Sequence, residues 1–162
     1  MTVTDVRKDT ETLTMTITAE FDAPIDRVWR LWEDPRLLER WWGPPTYPAT
    51  MIEHDLVPGG RVHYSMTGPE GDTHHGWWLV IAVDAPHRLE FEDGFADENG
   101  EPNPDLPTMR GLVTLTGRAG GGTRMAIESR FASTEDMEQI LAMGAEEGMM
   151  AAMSQMDDLL AA

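Results

Sequence analysis

Apolar and polar residues alternate strictly from Thr12 to Phe21, with Leu13, Met15, Ile17, Ala19 and Phe21 on one face and threonines opposite. A period of two is that of a half-buried strand. The period then changes: Ile25, Val28, Trp29 and Trp32 recur at helical spacing behind Asp22, which offers a capping oxygen, and Pro24, which suits a first helical turn. This helix is expected to end near Asp34, because Pro35 disfavours the helical conformation at the residue before it. A second short helix begins at Pro35, carries Leu37, Leu38 and Trp41, and stops at the breaker Gly43-Pro44-Pro45. Together the two helices form a V placed to plug one end of a sheet.

Strand signals resume at Thr50. Six segments follow: Met51 to Val57, Arg61 to Thr67, Trp77 to Val83, Arg88 to Phe95, Thr108 to Arg118 and Thr123 to Phe131. Turn residues such as Pro58-Gly59-Gly60, Gly68-Pro69-Glu70-Gly71 and Gly120-Gly121-Gly122 separate them, so neighbours pair antiparallel. Trp77 to Val83 is apolar on both parities, the pattern of a strand covered on both faces, and the adjacency of Trp77 and Trp78 leaves open which of them points inward. The tail from Ser133 to Ala162 reads as one long helix opened by a capping box of Ser133 and Asp136. Met137, Leu141, Gly144, Gly148, Ala152, Gln155 and Leu159 form a stripe expected to face the sheet. Its two glycines lose about 2 kcal/mol of helix propensity relative to alanine. Either a strand approaches closely there or space is left for a ligand. The predicted fold is α+β: a seven-stranded antiparallel sheet wrapped around a long C-terminal helix, with two short helices after the first strand, in a single domain over residues 1–162.

Charge narrows the partners. The net charge is −17 and Lys8 is the only lysine, which argues against nucleic acid or an anionic membrane surface, since either demands clustered basic residues. The acidic excess favours solubility at the cost of self-repulsion. Without cysteine there is no disulfide, thiolate nucleophile or cysteine-ligated metal. Met1 to Thr12 lacks the apolar run of a signal peptide, and no segment approaches the ~20 apolar residues of a membrane span. A cytoplasmic protein, monomeric or homodimeric, is expected.

Candidate chemistry is sparse. His74 and His75 are adjacent on a strand and point to opposite faces, a poor arrangement for chelating one ion. Asp93, Asp97, Asn99 and Glu101 lack the spacing of a calcium loop and read as a solvated turn. The triple glycine joins two strands rather than opening a helix, so it lacks the amide cradle that holds phosphate. No cofactor, metal site or catalytic residue is assigned. Glu53, His54 and His63 are the strand residues that would reach a cavity if one were catalytic. Aromatic residues and the flank Met149, Met153 and Met156 suit either a core or an adaptable apolar pocket.

Several short motifs, in order along nearly the whole chain, carry a resemblance: Ala23-Pro24 through Val28-Trp29, Trp41-Trp42-Gly43-Pro44, Asp55 to Gly59-Gly60, Gly122-Thr123-Arg124, and Met143 to Met149. With the order of elements they resemble the START-like, polyketide cyclase-like helix-grip superfamily, and within it the family named for the activator of heat-shock protein 90 ATPase. The resemblance implies a small protein that holds a hydrophobic or amphipathic molecule between sheet and C-terminal helix. The side chains expected to line that pocket are Tyr64, Trp77, Leu79, Phe91, Val113, Ile127, Gly148, Met149 and Met156. Two alternatives accompany this reading: a co-chaperone-like modulator whose partner is a heat-shock protein 90 type ATPase, and a cyclase- or hydrolase-type enzyme using a cavity Glu or His.

Overall fold

A computed structural model of the chain describes residues 2–161; Met1 and Ala162, the ends of the segments read above as N-terminus and tail, lie outside the described residues. Eight strands build one antiparallel sheet: β1 (Thr2–Asp9), β2 (Thr14–Phe21), β3 (Ala49–His54), β4 (Arg61–Thr67), β5 (Thr73–Asp84), β6 (Arg88–Ala96), β7 (Met109–Gly117) and β8 (Thr123–Phe131). Their order is β1-β2-β8-β7-β6-β5-β4-β3. Helices α1 (Ile25–Glu33) and α2 (Pro35–Trp42) carry the chain from β2 across to the far edge at β3. A meander of hairpins then returns to pair β8 with β2.

The sheet therefore has one strand more than the pattern predicts. β1 was invisible because it has no continuous apolar face; only Val3 and Val6 pack partly against the core. What holds it is the free edge of β2, against which Val6 pairs with Ile17 and Lys8 with Met15. Its alternating charges leave the outer edge unattractive to further strands.

Burial on β2 alternates along its whole length, with Met15, Ile17, Ala19 and Phe21 inside. These side chains join those of the other strands and of α1 and α2 in one core. Four tryptophans dominate it. Trp32 meets Trp41 edge-on with ring centroids 4.7 Å apart, Trp42 meets Trp78 likewise at 4.9 Å, and Trp78 stacks on Phe91 at 4.0 Å. The start of α1 differs from expectation: its cap position is Pro24, without a side-chain hydrogen bond, rather than Asp22. It is Asp34 that caps, accepting from the amide of Arg36 at the head of α2.

The tail is not one helix but three: α3 (Thr134–Ala142), α4 (Ala145–Met153) and α5 (Met156–Ala161). Ser133 caps α3 as the sequence indicates, accepting from the amide of Asp136. Gly144 adopts φ of 88°, a left-handed conformation that ends one helix and starts the next. The break changes the helical phase, so the buried residues are Met137, Ile140, Ala152, Met153, Met156 and Leu160 rather than the single stripe predicted. At the junction of α4 and α5, the Gln155 side-chain amide donates to the carbonyl of Gly43 at 2.6 Å and reaches that of Trp41 at 3.3 Å. The tail is thereby tied to the unpaired C-terminal carbonyls of α2. Lys8 of β1 contacts Glu146 of α4 at 2.6 Å, a link between the sheet edge and the tail. No described helix is long and apolar enough to cross a membrane.

Candidate functional site

The site is assembled from a glycine opposite a tyrosine. Tyr64 on β4 pairs with Gly76 on β5, and Gly76 pairs in turn with Phe95 on β6. A Cβ on Gly76 would run into the Tyr64 ring. The absent side chain lets that ring lie across the strand toward Asp93, two residues before Phe95 and on the same face. The Tyr64 hydroxyl donates to Asp93 Oδ1 at 3.2 Å, both side chains being buried. The same device recurs nearby: Phe91 covers Gly111, and on the other face of the sheet Trp77 covers Gly94, each directly across from its glycine.

Above this floor lies a cavity of about 290 Å3. Its floor comes from β4 to β6 through Tyr64, Met66, Gly76, Asp93 and Phe95, with Met109 beside them. Trp42 and Pro44 wall one side where α2 ends, and Pro107 another. Ile140, Met143, Gly144, Ala145, Gly148 and Met149 of the broken tail form the roof, and His74, Gly94 and His75 complete the lining, the His75 ring itself turning to the other face of the sheet beside His63. A Cβ on Gly148 would meet nothing within 4 Å among the described residues, so this glycine leaves open space rather than admitting a strand.

Burial sets the chemistry of the floor. It pushes the Asp93 carboxyl up to about 7, against the opposing pull of hydrogen bonds from Tyr64 and from the Gly94 amide. It also raises the Tyr64 phenol well above its usual range, helped by the adjacent Asp93 charge. The indole N–H groups of Trp42 and Trp78 approach the Tyr64 oxygen and moderate that rise. They do not reach hydrogen-bond geometry and have no other partner among the described residues.

Of the nine side chains expected at the pocket, Tyr64, Gly148 and Met149 line the cavity. Phe91, Val113, Ile127 and Met156 are buried deeper in the hydrophobic core, outside the lining. Trp77 and Leu79 sit on the opposite face of β5, because it is Trp78 that turns inward to stack on Phe91. The Trp77 indole instead donates to the carbonyl of Phe95, and Leu79 is 40% exposed. Glu53, His54 and His63 do not line the cavity. His54 contacts the Trp32 carbonyl at 3.1 Å, while His63 lies 2.9 Å from His75, its pKa lowered by burial and then by that neighbour. Asp93, read in the sequence with the acidic turn that follows, is not among the expected residues. Its signal was parity: Leu89, Phe91 and Asp93 are alternate residues of one strand. Among the described residues no three His, Asp or Glu side chains converge as metal ligands.

A second depression of about 660 Å3 lies between the ends of β2 and α5. It is a groove bordered by charged side chains, with Arg118 paired to Glu20 at 2.8 Å, and its lining is far more polar than that of the cavity beneath α4.

Residues 22–161, spanning the helices, the sheet from β3 onward and the tail, match the family described as activator of Hsp90 ATPase homolog 1-like protein. The chain belongs to that family. This activator-homologue domain is similar to the solved structure of protein Ms6760 from Mycobacterium smegmatis, at 52% identity over 98% of this chain and 97% of that one, with a TM-score of 0.91. A protein from Arthrobacter aurescens is similar at 50% identity over 99% and 92% of the two chains, with a TM-score of 0.93. DynU16, a putative protein in the dynemicin biosynthetic locus, shares the fold alone: 20% identity over 86% of this chain and 45% of that one, with a TM-score of 0.61. No functionally curated protein matches the sequence. The activator-homologue fold is thus a helix-grip, with eight strands and a broken tail in place of the seven strands and continuous helix expected.

Proposed function

We propose that this protein binds a hydrophobic or amphipathic small molecule in the cavity beneath α3 and α4. The observation that carries this reading is Gly148, a helical residue of low propensity whose missing side chain opens onto unfilled space. The volume of about 290 Å3 is close to the lower end of ligand pockets, roughly 300–1,000 Å3. Apolar walls with one polar point are the usual composition of such sites, and helix-grip proteins of this kind commonly hold hydrophobic ligands. The methionines Met66, Met109, Met143 and Met149 supply adaptable surface for ligands of varied outline.

Native mass spectrometry of gently purified protein, with and without added apolar aromatics, tests the proposal. A bound small molecule is expected on the wild type and absent from Gly148→Leu, whose side chain fills the space while the circular dichroism stays that of the wild type. Equal binding by the two proteins would refute the assignment to this cavity.

A second reading rests on Asp93 alone. A carboxyl held at about 7 is suited to exchange protons near neutral pH, as a cyclase-type reaction on a bound ligand would need. Turnover that follows the ionisation of this group and disappears in Asp93→Asn would favour it; turnover retained in that variant would eliminate it.

A further inference from the structure

The cavity is mostly apolar, and on its floor a carboxyl is buried with no lysine or arginine beside it among the described residues. Asp93 is 7% exposed, and its Oδ1 accepts from Tyr64. Among the described residues no lysine or arginine lines the cavity. Tyr64 from β4 is the titratable side chain in contact with Asp93; His74 of β5 reaches outward to Asp72, the His75 ring turns to the other face of the sheet beside His63, and α2, α3, α4 and β7 present only uncharged side chains to the cavity. A buried carboxylate is ordinarily paired, because its desolvation goes uncompensated otherwise. Tyr64 cannot supply that charge: its proton is directed to Asp93, and two indole N–H groups crowd its oxygen.

Resting on the reading that the cavity holds a small molecule, we propose that the ligand is an apolar amine whose ammonium group pairs with Asp93 while its ring or chain fills the space beneath Gly148. The partner chemistry follows from what each alternative would leave behind. A carboxylic acid would bring a second negative charge to the site. An alcohol would donate a hydrogen bond but leave the charge unpaired. An ammonium does both, and the Trp42 and Tyr64 rings at the lining add aromatic faces that attract a cation. The net charge of −17 also concentrates cations around the protein and repels anions.

Calorimetric titration at about pH 8 with three probes of one shape, naphthylmethylamine, naphthylmethanol and naphthoate, tests the proposal. The wild type should bind the amine at least about tenfold more tightly than the alcohol, as expected for a hydrogen bond to a charged group, and naphthoate least. Asp93→Asn, which keeps the side chain's size, should lose the tenfold preference, so that amine and alcohol bind alike. Equal affinity for amine and alcohol in the wild type would overturn the proposal, as would a preference that survives in Asp93→Asn and so belongs to the acidic surface at large. If neither the amine nor the alcohol binds, the small-molecule reading falls together with it; if the alcohol binds equally well, only the amine assignment falls. Should Asp93→Asn not fold, a His74→Ala protein serves instead. Its amine-to-alcohol affinity ratio should rise about tenfold between about pH 6 and pH 8 as Asp93 ionises, and a flat ratio overturns the proposal.

Discussion

Replacing Asp93 by asparagine should stabilise this protein at alkaline pH and do little at acidic pH. In the folded chain the carboxyl ionises at about 7, whereas its unperturbed value is 3.8. Between those two values the folded state holds a proton that the unfolded state has released. Stability therefore falls as pH rises from about 4 to 7 and levels off above. A difference of roughly 3 pKa units corresponds to about 4 kcal/mol. This is an upper figure for what Asp93→Asn removes at about pH 8, because the amide accepts less strongly from Tyr64 than the carboxylate does. For a domain of this size each kcal/mol shifts Tm by roughly 2–4 °C, so several degrees separate the two proteins. Thermal melts of wild type and variant, run in parallel from about pH 4 to pH 9, check this directly. Working with the difference between them removes the general acid-base response of a highly charged chain. A difference that stays the same from pH 4 to pH 9 would show that Asp93 is not held protonated by burial, and the reasoning would fail.

Two further substitutions probe how the site is built. Gly76→Ala should push the Tyr64 ring out of its place across β5 and cost about 1–3 kcal/mol, as overpacking does; urea denaturation measures the cost, and a neutral result would mean the ring moves without strain. Gln155→Ala removes the donor that reaches the carbonyls of Gly43 and Trp41 and should cost about 1 kcal/mol. The loss should appear as faster hydrogen exchange in α5 and at the end of α2 together, and exchange confined to α5 would count against a shared tie.

Most of the sheet was legible because its strands obey a period of two with glycine-rich turns between them. β4 and β8 match their predicted bounds. β1 was not legible, since an edge strand needs only a partner's free backbone and carries no apolar signature of its own. The tail shows a different limit. Gly144 and Gly148 fall on the same predicted stripe, yet one adopts a left-handed turn that ends a helix and the other sits inside a helix facing empty space. Composition cannot distinguish a terminator from a vacancy; only the fold around them does. The site was legible in part for a similar reason. Tyr64, Gly148 and Met149 follow from strand and helix periodicity, while the facing of Trp77 depends on whether its neighbour Trp78 finds a better stacking partner, which is settled by β6. Asp93 breaks the apolar pattern of an inward face, and a polar residue at such a position is easily taken for the beginning of a turn.

The order of the strands bears on how the chain reaches its final form. β2 is made early but pairs with β8, so that Thr14 faces Arg130 and Phe21 faces Thr123. The meander from β3 to β8 can zip locally, hairpin by hairpin, whereas β2 must wait for the last strand before its inner edge is satisfied. Joining such distant segments carries the largest loop-closure entropy in the molecule, and topologies rich in such pairings fold over milliseconds to seconds rather than microseconds. During synthesis, the interval between the emergence of β2 and that of β8 leaves Met15, Ile17 and Phe21 on a strand whose inner edge is still unpaired. The chain is most exposed to mispairing then, and a ribosome-bound fragment ending before Thr123 should be far more sensitive to protease than the finished protein.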